Sequence, residues 1–387
     1  MDIMFDKSEN KFPYKKNINF IAFCSVSPMY GPAAAAAEKF IQAQRDSGLC
    51  LFEQYSDVAT RFRNASAKLL KTTPENITIP VNTSEALSTI ANGYPFSPGD
   101  EIISYVHEYP ANHYPWRLQE KRGVKLKLLK SDNLSGKIPE GYAGVWNFSE
   151  LESLVTTKTK IIALSHVQFT SAYAADLEKL GKFCKDKKID LVIDAAQSLG
   201  SLPVYPEEFG ISAVAASGWK WLLGPIGTGV FYTSAEFRDK IEITMTGSDH
   251  MEQQTEYLNH TWQPYTDGRK FNYSTLPYSC VEALSTVIEE VFNHYGIEAI
   301  NKEILRLQEL GLSLLDRDKF EPVLHDGVNR AGFISLIPRK MQATEIQAKL
   351  IEKGVIISAR EKYLRFAPHF CNTDEEIEKG INILNTV

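Results

Sequence analysis

Residues 191–201 read LVIDAAQSLGS, and residues 216–232 read ASGWKWLLGPIGTGVFY. Each follows or contains a short apolar run, Asp190–Asp194 and Ala213–Ala216. Runs of Leu, Val, Ile and Ala with no polar alternation belong to strands buried on both faces. The first run ends on a carboxylate, Asp194. The second ends near Ser217-Gly218 and delivers an amine, Lys220. A Gly/Pro-rich turn through Gly224, Pro225 and Gly227–Gly229 follows, and Gly229–Thr233 reads as another strand.

The same alternation continues on the N-terminal side. Ile77–Val81, Glu101–Val106, Lys125–Leu129 and Lys160–Ser165 read as strands, and Glu85–Gly93, Trp116–Arg122 and Asp176–Lys185 as helices. Strands separated by helices give an α/β architecture with a mostly parallel sheet covered on both sides. In such sheets ligands sit beyond the carboxyl ends of the strands, which is where Asp194 and Lys220 fall. After residue 280 the texture changes. Glu282–Tyr295, Glu298–Asp316, Gln342–Lys353 and Asp374–Leu384 read as helices, and Gly332–Pro338 and Val355–Ser358 as strands. The expected organisation is a large α/β domain over residues 21–279. A smaller α+β domain over residues 280–387 takes in the N-terminal residues 1–20.

The chain has 387 residues, 43% hydrophobic and 23% charged, which is enough for one large core and a second lobe. A net charge of −6 without a dense Lys/Arg cluster predicts no nucleic-acid partner. Cys24, Cys50, Cys184, Cys280 and Cys371 are dispersed and form no CxxC pair, the pattern of reduced thiols. The first residues carry mixed charge and no apolar signal-peptide core. No apolar run approaches the roughly 20 residues that span a bilayer. A cytoplasmic protein with no membrane partner is expected.

Lysine and aspartate at neighbouring strand ends suit pyridoxal 5′-phosphate. The amine forms an imine with the cofactor aldehyde, and the carboxylate keeps the pyridine nitrogen protonated so that the ring accepts electrons. A lone Asp…Lys pair would equally read as a strand cap and a surface lysine. Gln197, three residues after the aspartate, and the glycine turn after the lysine favour the cofactor.

The DxxQ followed by SGxKWLxGPxGTG resembles the class V aminotransferases of the fold type I pyridoxal-phosphate enzymes, together with cysteine desulfurases, kynureninase and isopenicillin N epimerase-like proteins. The resemblance extends over nearly the whole chain and implies a seven-stranded, mostly parallel sheet. By this resemblance Lys220 is the Schiff-base lysine, Asp194 the pyridine-nitrogen partner and Gln197 a donor to the phenolic oxygen. Asn82-Thr83-Ser84-Glu85 opens a helix, and Thr83, Ser84 and Ser217 are the phosphate ligands it implies. Taken alone, Thr83-Ser84 is an N-cap. Trp219 stands where desulfurases often carry histidine, and its indole N–H can donate one hydrogen bond.

In Glu108-Tyr109-Pro110-Ala111-Asn112 an aromatic followed by proline matches the kynureninase-like type, with Tyr109 stacking on the cofactor and Asn112 as a polar contact. Gln168, in His166-Val167-Gln168, matches a position touching cofactor or substrate; His166 also fits the sheet interior. His107 and His113 fit no standard zinc spacing. Phe271–Thr275 resembles the segment that reaches a partner subunit's cofactor phosphate, with Thr275 matching, which implies a homodimer. Arg365, followed by Asn372-Thr373-Asp374-Glu375-Glu376, resembles the arginine that grips the substrate α-carboxylate.

Aminotransferase chemistry on a small amino acid is the expected outcome, with lyase, epimerase or kynureninase-like cleavage open on the same residues. A fold retained only for binding is the remaining class. Cysteine desulfurase chemistry is not expected, because residues 354–364 run straight into Arg365 without a cysteine.

Overall fold

The computed structural model describes residues 3–134, 136–253 and 255–387. A short strand β1 (Asn19–Phe20) precedes the main sheet, whose strands are β2 (Ile77–Thr78), β3 (Glu101–Tyr105), β4 (Lys125–Leu129), β5 (Thr159–Ser165), β6 (Asp190–Asp194), β7 (Ala213–Ser217) and β8 (Gly229–Thr233). Their spatial order is β2-β8-β7-β6-β5-β3-β4. The run from β4 to β7 is parallel, and β8 and β2 add antiparallel edges. The expected seven-stranded, mostly parallel sheet is present.

Both faces of this sheet are covered. Ile102, Ile161 and Val192 belong to one apolar cluster, and their chain neighbours Ile103, Ile162 and Ile193 to another. Successive side chains on a strand point to opposite faces, so unbroken apolar runs are what two covered faces require. The strand expected over Ile77–Val81 stops at Thr78. Pro80 lacks an N–H for the ladder, and Asn82 already caps the helix Thr83–Gly93.

The smaller sheet contains β9 (Phe320–Val323), β10 (Ile334–Pro338), β12 (Ser358–Arg360) and β13 (Tyr363–Phe366), in the order β12-β13-β10-β9. The strand expected over Val355–Ser358 is divided between two partners. β11 (Val355–Ile356) pairs in parallel with β1, and Ser358–Arg360 pairs with β13. Helix Ile297–Leu314 packs Ile297, Ile300 and Ile304 into the larger core and Leu307 into the smaller one. Helix Tyr278–Val287 packs on helices Gly31–Ser47 and Val58–Leu70.

Residues 21–30 lace these layers together. Phe23 N–H donates to Ala367 O at 3.0 Å, Ser27 N–H to Trp219 O at 2.9 Å, and Tyr30 N–H to Leu223 O at 2.9 Å. The N-terminal segment therefore reaches both Lys220's turn and the strand carrying Arg365.

Candidate active site

β7 ends at Ser217, and the chain turns sharply to present Lys220. Gly218 permits the turn: a Cβ there would lie 2.9 Å from Thr228 O and 3.0 Å from a Leu284 methyl. Leu223 N–H closes onto Lys220 O at 3.0 Å, and Gly224 N–H onto Gly218 O at 2.9 Å. Lys220 is half-buried as a residue, and its Nζ lies 5.6 Å from the centroid of the Tyr109 ring. Loss of water lowers its pKa to about 8; Asp194 opposes that shift, and Arg365 and Arg360 reinforce it.

Asp194, the last residue of β6, lies opposite Ala215 of β7. Its Oδ1 accepts from Ala196 N–H at 2.9 Å, and the carboxylate makes no other hydrogen bond among the described residues. Burial raises its pKa, against the pull of the Ala196 N–H and Lys220. One carboxylate oxygen is thus left for a further donor.

A cavity of about 320 Å³ opens at these strand ends. Thr83, Ser84, Tyr109, Asp194, Ser217, Trp219 and Lys220 all line it. Helix Thr83–Gly93 starts at its wall, capped by Asn82 Oδ1 accepting from Glu85 N–H at 2.9 Å. The first N–H groups of a helix have no intrahelical acceptor. Thr83 Oγ1 and Ser217 Oγ lie 2.7 Å apart, so two hydroxyls from distant segments converge beside that helix end.

Three more of the expected residues lie outside the cavity lining, held by the protein. Gln197 accepts from Trp221 Nε1–H at 3.1 Å and donates through Nε2 to Cys24 O at 2.9 Å. Gln168 donates through Nε2 to Glu108 Oε1 at 3.0 Å. Arg365 donates to Ser358 Oγ, Phe169 O and Ser25 Oγ at 3.0, 3.0 and 3.1 Å. Guanidinium carries five N–H donors, so one N–H remains on each terminal nitrogen.

Asn112 and Thr275 are not brought into this cavity. Asn112 is fully buried, and its Oδ1 is taken by Trp116 Nε1–H at 2.9 Å. Thr275 is exposed. Trp219 lines the cavity without hydrogen-bonding through its indole to any described residue; the indole donor in this region is Trp221. His166 is buried, with its pKa pushed down to about 3 by desolvation, and lines a separate cavity with Leu202 and Asn301. Cys24, Ser25 and Ser358 were not singled out from the sequence, for they sit in no local motif; Trp221 stood without a role in the motif quoted for Lys220, and Glu108 lay unassigned in the stretch quoted for Tyr109.

Among the described residues no group of three His, Cys, Asp or Glu could hold a metal ion, and no helix is long and apolar enough to cross a membrane.

Lysine and aspartate at adjoining ends of a mostly parallel sheet, beside a smaller α+β lobe, define an α/β protein of the fold type I class. A family model described as Aminotransferase class-V matches residues 39–372, and the chain belongs to that family. A probable cysteine desulfurase of Methanothermobacter thermautotrophicus is 26% identical over 337 residues, covering 82% of this chain and 80% of that protein. The uncharacterized aminotransferase YcbU of Bacillus subtilis is 24% identical over 381 residues, covering 96% and 95%. The solved complex of the cystine C-S lyase C-DES with its product cysteine persulfide has a TM-score of 0.85 at 20% identity, covering 96% of this chain and 98% of that one. At that identity the likeness establishes the fold.

Proposed function

We propose that this protein is a pyridoxal 5′-phosphate enzyme acting on a small α-amino acid, with amino transfer as the outcome. The observation that carries the reading is one cavity holding both a lysine of lowered pKa and a buried carboxylate with an oxygen unengaged. The site fits the cofactor. A buried carboxylate is costly unless paired, and a protonated ring nitrogen is the partner that Asp194 lacks. The fold relative C-DES has been described, as a lysine-to-alanine variant, with glycine covalently linked to this cofactor.

When bound, the cofactor supplies an aldehyde that couples to amines and a ring that takes up electrons from the substrate's Cα. Asp194 would hold the proton at the ring nitrogen. Thr83, Ser84 and Ser217, with the N-terminus of helix Thr83–Gly93, would hold the phosphate. Tyr109 would cover one ring face, and Gln197's remaining Nε2–H would meet the phenolic oxygen. Arg365 binds the substrate carboxylate with its two unengaged N–H groups. Lys220, about half uncharged near pH 8, is the base that takes the proton from Cα. The expected homodimer, with Thr275 reaching the partner's site, the division at residue 279, and a cytoplasmic location belong to this reading.

A second reading, elimination from a sulfur-containing amino acid, is favoured by the likeness to C-DES and to relatives named as desulfurases. The two readings part on product analysis: elimination releases a keto acid and ammonia without an amino acceptor, and transfer requires one.

The test of the shared chemistry is Asp194→Asn. This variant is expected to keep bound cofactor while turnover falls about 100-fold or more. Turnover near that of the unmodified protein would remove Asp194 from the mechanism.

A further inference from the structure

Glu108 is a buried acid for which the proposed reaction has no use. It directly precedes Tyr109, and only 6% of its surface is exposed. Burying a carboxylate is costly unless donors replace the lost water. Here three donors converge. Ser165 N–H reaches Oε1 at 2.8 Å, Gln168 Nε2–H reaches Oε1 at 3.0 Å, and Ser165 Oγ–H reaches Oε2. The carboxylate thereby bolts the turn after β3 to the end of β5.

The consequence falls on Gln168. An ionised carboxylate only accepts hydrogen bonds. The half of the Gln168 amide that faces it must therefore be the NH₂ group, and the carbonyl oxygen must face away. That oxygen, Oε1, is buried and has no hydrogen-bond partner among the described residues. Left to itself, a glutamine amide could turn over and exchange its donor and acceptor ends. Glu108 removes that freedom. Burial raises the acid's own pKa to about 7, opposed by the Ser165 and Gln168 donors and reinforced by the charge of Asp194, so the acceptor-only form prevails above about pH 7.

We propose that Glu108 is a positioning residue that fixes the side-chain amide of Gln168, holding its NH₂ at the β3–β5 seam and turning its oxygen into the interior. The effect on cofactor binding rests on the reading given above; the positioning itself does not.

Two measurements separate these claims. The first uses apoprotein crystals of the unmodified chain and of Glu108→Leu. The Gln168 side chain is expected to leave its present place in the variant, because leucine offers its NH₂ group no acceptor. An unmoved Gln168 would overturn the proposal whether or not the protein binds cofactor. The second is a double-mutant cycle on pyridoxal 5′-phosphate affinity, read by absorbance titration. Glu108→Leu should weaken binding about ten-fold in the unmodified chain and leave it unchanged in the Gln168→Ala background. Equal losses in both backgrounds would show that Glu108 acts without Gln168. If the unmodified protein takes up no cofactor, the functional reading falls and the crystallographic comparison still decides the role of Glu108.

Discussion

Trp221 Nε1–H donates to Gln197 Oε1 at 3.1 Å, and both residues are buried. An indole can only donate, so this contact commits the oxygen of Gln197 and leaves its nitrogen for Cys24 O and the site. Behind it, His369 Nε2 lies 3.0 Å from Trp221 O. Trp221→Phe keeps a flat ring and deletes the donor. The expected loss is about 1–3 kcal/mol in urea unfolding, since Gln197 Oε1 is left buried and unsatisfied. An unchanged midpoint and slope would mean that the amide has found another donor.

Lys220→Ala is expected to abolish both turnover and the visible absorbance that borohydride bleaches, with far-UV circular dichroism unchanged. The pH dependence carries a sharper test. The amine attacks the cofactor aldehyde only when uncharged, and its pKa is lowered to about 8. Covalent capture of the cofactor by apoprotein should therefore speed up as pH rises to about 8 and then level off. An ordinary lysine would keep gaining to about 10.4, and that profile would contradict the assignment.

Arg365 is almost fully buried and is aimed by Ser25, Ser358 and Phe169 O. Arg365→Lys replaces a fork with a point charge. KM for α-carboxylate substrates should rise about ten-fold or more, with a smaller effect on kcat and on amines that lack the carboxylate. Equal losses for both substrate types would make the arginine structural.

Relatives named as desulfurases raise the question of a sulfur-carrying thiol. β12 and β13 are joined by Glu361 and Lys362 alone, with no cysteine. Cys24 does share Ser358 with Arg365, yet it is 1% exposed with Sγ 3.3 Å from Ser358 Oγ. Cys371 is buried beside Tyr14, and burial pushes its thiol up to about 12. A relay thiol must be ionised and mobile. L-cysteine with a thiol reductant should thus give no sulfide release that depends on a protein cysteine; release that disappears in Cys24→Ser would refute this.

The sequence by itself determined the parallel sheet and the placement of Asp194 and Lys220. Unbroken apolar runs admit few structures other than strands covered on both faces, and residues just beyond such strands fall at the ligand-binding edge. The limits of Lys125–Leu129, Asp190–Asp194 and Gly229–Thr233 were legible for the same reason: the signal is local, carried by neighbours in the chain. Only the tertiary structure decided which polar groups meet. Ser25 and Arg365 are 340 residues apart, Gln197 and Cys24 are 173 apart, and no pattern within either segment announces the contact. Donor–acceptor pairing between distant segments follows from how the layers pack, and packing is a property of the whole chain that no single stretch encodes.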